Sequence, residues 1–257
     1  MFLVSYPAAA LLAIAMLVVW KESYDSFCPS LLIPIVITVI LTLSLREFGH
    51  LQRVCRANCF FQPGSFFHRW LHGQIFITVY SLFIAIILAA SLSLSVLTWS
   101  NEVLLLLAID GLLICLTYPL ILRYGVSKFG IKPGMDRVIG KRWLVMLHAP
   151  LLILAMVKVQ LYAPPPAYLD TTSLAVTVSK ASADKMSSCA IIDVPARLQA
   201  EKEAVLWWMM VRGSKYLGPG STLSWVAWLG FLLNGALGAW AYARLCAQLA
   251  DFARGKP

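Results

Sequence analysis

The stretch "QIFITVYSLFIAIILAASLSLSVLTW", residues 74–99, runs for 26 positions without one charged side chain. A helix advances about 1.5 Å per residue, so roughly 20 apolar residues cross about 30 Å of hydrocarbon. The stretch exceeds that length, and its reading as a transmembrane helix decides the fold. Predominantly apolar runs recur at 3–20, 30–45, 103–122, 144–162 and 224–246. The 257-residue chain is 60% hydrophobic and 13% charged, with a mean hydropathy of +0.78. Soluble domains run near half apolar and a quarter charged. The predicted class is therefore an all-α polytopic membrane protein, a bundle of about six transmembrane helices with one small external α+β module.

The first run lacks a basic leading segment, and its small residues Ala8 to Ala10 stand ahead of most of its apolar residues. It reads as a retained anchor instead of a cleaved signal. The run at 30–45 is the shortest and carries Pro34, which neighbouring helices must accommodate.

Basic residues set the expected orientation. Arg46, Arg53, Arg56 and Arg69 follow the second run, and Arg123, Lys128, Lys132, Arg137, Lys141 and Arg142 follow the fourth. The loops 46–73 and 123–143 are then cytoplasmic, as are both termini, in a bacterial inner membrane. Residues 1–162 hold helices one to five, 163–223 form a periplasmic module, and 224–257 hold helix six and a short tail. The net charge of +9 lies mainly beside the spans, where anionic headgroups attract each basic residue by about 1 kcal/mol. Membrane lipids are thus expected partners; nucleic acid is not, since no separate basic domain exists.

The external segment opens with "APPPAY" (163–168), a stiff polyproline exit. "SLAVTVS" (173–179) alternates apolar and polar residues, and "CAIIDV" (189–194) gives a second short run, so a two-stranded hairpin is predicted. Asp193 as N-cap and Pro195 at the first position then predict a helix ending at Gly213. Its second half is apolar all round, and Trp207 and Trp208 suit an anchor at the outer leaflet, a contact with a partner, or packing onto the chain's own spans.

Several constellations have the residue types that chemistry needs. Cys55-x3-Cys59-x8-His68-x3-His72 offers two i, i+4 pairs across a Pro-Gly turn, enough ligands for a closed structural zinc site, the one cofactor the sequence suggests. The competing reading is a headgroup-level connector, because aromatic and arginine residues beside a span collect there anyway. Cys28 and Cys189 fall together on the external side, where a disulfide is permitted. Asp110 lies inside span four, with Lys158 and His148 on span five; the expected arrangement is an Asp110 to Lys158 ion pair, acting as a clamp or as a proton or ion relay. Asn234, Gly235, Ala239 and Ala243 form a stripe suited to close helix packing.

The chain contains no G-x-S-x-G, no H-E-x-x-H and no P-loop. The leading expectation is a non-enzymatic subunit of a larger envelope complex for secretion, transfer or assembly, bound to other membrane or periplasmic proteins. The alternatives are a small transporter or channel built on Asp110 and Lys158, and a membrane protein with a structural or sensing metal in 50–72.

Overall fold

The computed structural model describes residues 5–25, 28–60, 74–125, 128, 130, 135–162, 164–183, 185, 187–216 and 222–255. The elements are α1 (Ser5–Ser23), a 3-10 turn (Cys28–Leu31), α2 (Leu32–Phe60), α3 (Gln74–Thr98) and α4 (Asn101–Leu120), which closes in a π-turn (Ile121–Gly125). They continue with α5 (Asp136–Tyr162), α6 (Leu174–Ala183), α7 (Ala190–Tyr216) and α8 (Thr222–Arg254). Five helices, α1 to α5, are long and apolar enough to cross a membrane. Their outward faces expose Ile35, Val39, Val79, Phe83, Leu116 and Leu154, a surface that suits hydrocarbon better than water.

The sixth expected crossing falls on α8, which is a different kind of helix and is not among those five. From Ala239 to Asp251 nearly every side chain is buried, because α8 is the axis of the bundle and touches α1, α2, α3, α4, α5 and α7. Alanines at 239, 241, 243, 247 and 250 let the surrounding helices approach on all sides. Gly238 packs against Trp99 at the end of α3, so the part of α8 before it extends beyond that end by about 24 Å.

The predicted hairpin is overturned: no strand occurs among the described residues, and the segment expected to be α+β holds α6 and α7. Leu174, Val176 and Val178 alternate, but the buried positions of α6 are Thr177 and Ala181, one helical turn apart. The turn before α6 is fastened by Asp170, whose carboxylate accepts from the Thr172 N–H and hydroxyl, and whose own N–H bonds Thr177 Oγ1. Helix α7 also begins earlier than expected. The Ile192 and Asp193 N–H groups bond the Cys189 carbonyl, while the Asp193 carboxylate accepts from the Ser187 N–H and from Arg197. Those bonds, the Ser187 one foremost, hold Asp193 below the ordinary carboxylate range.

Cys28 and Cys189 form a disulfide, with Cα atoms 5.3 Å apart, tying the α1–α2 connector to the start of α7. Ser187 donates to the Tyr24 carbonyl, and the Ser188 hydroxyl and N–H both donate to the Asp25 carbonyl, so the two segments also share three hydrogen bonds. Exchanging both cysteines for serine is expected to cost about 2–4 kcal/mol. Unfolding of the purified protein with and without a reductant checks this; a reductant-insensitive midpoint in the wild type would contradict it.

Gly111 of α4 faces α8, and a Cβ there would land on Tyr242 Oη, which donates to the Leu107 carbonyl at 2.6 Å. Gly111→Ala is expected to cost about 1–3 kcal/mol by overpacking. Gly235→Ala, where nothing lies within 4 Å, is the control and should leave the unfolding midpoint unchanged or raised.

Candidate functional site

Asp110 faces the α5 side of α4 and is 9% exposed. Its Oδ1 lies 2.8 Å from His148 Nδ1, and His148 Nε2 lies 3.1 Å from Thr117 Oγ1. Asp110, His148 and Thr117 thus form one chain within the bundle. The expected Asp110 to Lys158 pair is not formed. Lys158 is exposed, off the buried stripe of α5 made by Lys141, Leu144, Val145, His148, Leu152 and Met156 at three- and four-residue steps. Depth along the helix allowed Lys158; its direction around the helix does not.

Thr117 gives this chain two proton arrangements. Its hydroxyl lies 2.8 Å from the Leu113 carbonyl as well as beside His148. A hydroxyl has one proton to donate and an imidazole changes from donor–acceptor to double donor on protonation. With the Thr117 proton on Leu113, Nε2–H donates to Thr117 and Nδ1–H to Asp110, an imidazolium beside a carboxylate. With the proton turned toward Nε2, the ring is neutral and still donates to Asp110. The two states differ by one proton and one hydroxyl rotation. Asp110 Oδ2 is buried with no protein partner.

A second cluster lies toward the end opposite the disulfide. Lys141 Nζ, 5% exposed, donates to Glu47 of α2, to Gln248 Oε1 at 3.0 Å and to Asp251 Oδ2 at 3.1 Å. Tyr118 Oη donates to Asp251 Oδ1 at 2.6 Å. Four helices meet here, and each partner compensates another: one cation faces two carboxylates, and the tyrosine supplies a further proton. His148 and Lys141 share the inner face of α5, seven residues or about 10 Å apart, and Asp110 and Tyr118 are about 12 Å apart on α4.

A third ionisable group stands at the disulfide end. Glu203 of α7 lines two adjoining cavities of about 180 and 160 Å³, bounded by Thr98, Ser100 and Val103 near the α3–α4 connection and by Pro166 and Trp207. Burial pushes its carboxyl above the ordinary range, against hydrogen bonds from Thr98 and Trp207 that pull it down. Its Oε2 is buried without a hydrogen-bond partner. Val103 in turn lies seven residues, about 10 Å, above Asp110 on α4.

The remaining expected sites are placed as follows. Trp207 is buried beside Glu203. The Arg212 guanidinium lies 4.7 Å from the Trp208 ring centre. Ala239 and Ala243 are fully buried in the bundle, Gly235 faces open space, and the Asn234 side chain is outside the described residues. Cys55 and Cys59 fall on the last two turns of α2; their side chains, with His68 and His72, lie outside the described residues, as does the zinc question. Among the described residues no group of three metal-ligating side chains occurs. Cys246 is fully buried in the core, because α8 continues to Arg254.

The Lys141 cluster escaped the sequence reading. Lys141 counted as one of six basic loop residues, and Asp251 fell beyond the end assigned to the last span. One signal pointed to it: the stripe Ala239, Ala243 continues at four-residue steps to Ala247 and Asp251, which places an acid on the most closely packed face.

Compared with family models, curated proteins and solved structures, the chain matches none.

Proposed function

We propose that this chain is a small proton-conducting transporter, with Asp110 and His148 as its protonation element. The observation that carries the reading is the stacking of three ionisable stations along α4, two of them buried in the bundle and the third half-buried at its disulfide end. Glu203 stands near Val103, Asp110 with His148 in the middle, and Lys141 with Asp251 beside Tyr118. Ionisable groups inside hydrocarbon are costly and mark proton or ion pathways, and a chain able to hold one proton in two arrangements suits such a path. The gaps of about 10–12 Å call for water or side-chain motion between stations. In the same reading α8 makes the sixth crossing with its second half, in a bacterial inner membrane. The basic end faces the cytoplasm and the disulfide faces an oxidising compartment. The experiment is proton entry into liposomes holding only the purified chain, driven by a potassium diffusion potential and read with an internal pH dye. Entry above protein-free liposomes supports transport; none contradicts it.

A second reading, the subunit of an envelope complex, has its own observation. The part of α8 beyond Trp99 exposes Trp225, Leu229, Leu233 and Leu237 at four-residue steps. One apolar stripe on an extended helix suits a protein partner. Recovery of the same membrane or periplasmic protein with the wild type, and its loss with Leu229→Glu and Leu233→Glu, would favour that reading.

A further inference from the structure

A cavity of about 390 Å³ lies at the end opposite the disulfide, between α2, α5 and α8. Its walls carry three cations, Lys141, Arg142 and Arg244, together with Trp240, the Ser44 side chain and the apolar Val145 and Met146. Lys141 is already answered by Glu47, Gln248 and Asp251. Arg244 is not: no carboxylate pairs with it among the described residues, and its Nε is buried without a hydrogen-bond partner. Its guanidinium lies 4.8 Å from the Trp240 ring centre, and the charge of Arg142 opposes it. A stacked, partly desolvated guanidinium with no carboxylate beside it, in a cavity wall that also carries Arg142, calls for an anion.

Two further features define that anion. The cavity volume falls in the range of small-molecule sites, ample for a phosphate group with its ester substituent. Met146 leads outward onto the partly exposed apolar flank of α5, where Pro150, Ile153 and Val157 follow it on the same side of the helix at three- and four-residue steps. The ligand therefore has a planar-fork acceptor at one end and an apolar portion able to leave along α5. We propose that this cavity is a binding site for the phosphate of an anionic lipid headgroup, gripped by Arg244 and Arg142 with the acyl chains lying along α5. The cavity borders the proposed proton pathway at Lys141, but the assignment rests on Arg244 and Arg142 and uses neither Asp110 nor His148.

The test is native mass spectrometry of the purified chain released from nanodiscs of equal phosphatidylglycerol and phosphatidylcholine. A parallel arm titrates detergent-solubilised protein with inorganic phosphate. The wild type should retain phosphatidylglycerol in preference to phosphatidylcholine, and Arg244→Gln should lower retention about fivefold or more. Arg142→Gln, at an exposed side chain, should act in the same direction and guards against misfolding of the first variant; Arg244→Lys should fall between. Phosphate binding that depends on Arg244, without preference between the lipids, also supports the site and assigns it to a soluble phosphate. Equal retention of both lipids with no phosphate binding, or retention unchanged in Arg244→Gln and Arg142→Gln, overturns it.

Discussion

Lys141→Met is expected to destabilise the protein by about 3–5 kcal/mol, the cost of leaving a buried ionic group without its partner. Lys141 is the only cation bonded to both Glu47 and Asp251 among the described residues, and it also bonds Gln248. Its removal leaves the buried Asp251 carboxylate without a cation at the junction of α2, α5 and α8, while Glu47, whose side chain is 43% exposed, is left to water. Asp251→Asn removes the unpaired buried charge while its amide oxygen can still accept from Tyr118, so the expected loss is smaller for the double variant Lys141→Met with Asp251→Asn than for Lys141→Met alone. Denaturant titration in a fixed detergent reads both. A Lys141→Met midpoint within about 1 kcal/mol of the wild type, the size of an exposed pair, would show that water reaches the cluster and that it does not hold the helices together.

Asp110→Asn has the largest expected effect on activity, a loss of about a hundredfold or more in proton flux, the scale on which a positioned proton-transfer group acts. The substitution preserves volume, and the amide oxygen can still accept from His148 Nδ1 at the position of Oδ1. It removes the negative charge that stabilises a protonated ring, so the state in which Thr117 donates to Leu113 and His148 carries two protons is lost. Lys158→Met, at an exposed side chain off the buried stripe, should leave flux unchanged. A scaffold would respond differently: Asp110→Asn would alter its stability while the wild type itself conducts nothing.

The helical spans were legible in the sequence because hydrocarbon imposes a length and an absence of charge that few other structures share. Asp110 was legible for the same reason. Its partner was not. Lys158 and His148 both lie on α5, and only the direction around the helix, fixed by α8 and by the Leu144, Leu152, Met156 stripe, puts His148 opposite Asp110. The strand expected at 173–179 shows a different limit. Seven residues with three alternating apolar side chains fit either period, and Thr177 with its bonds to the Asp170 and Ser173 carbonyls decided for a helix. The Lys141 cluster draws Glu47, Gln248 and Asp251 across separations of 94 to 110 residues. Each of those side chains alone resembles an ordinary polar residue at a membrane edge. Cys28 and Cys189 were brought into one compartment by topology alone, and the hydrogen bonds of Ser187 and Ser188 to the α1 connector bring them into contact.

The central claim is that Asp110 and His148 carry a proton within the bundle. The most direct measurement is potential-driven proton entry into liposomes of identical protein content holding wild type, Asp110→Asn or Lys158→Met. The predicted result is equal entry for wild type and Lys158→Met and a rate indistinguishable from protein-free liposomes for Asp110→Asn. Entry through Asp110→Asn as fast as through the wild type, or no entry through any of the three, would contradict it.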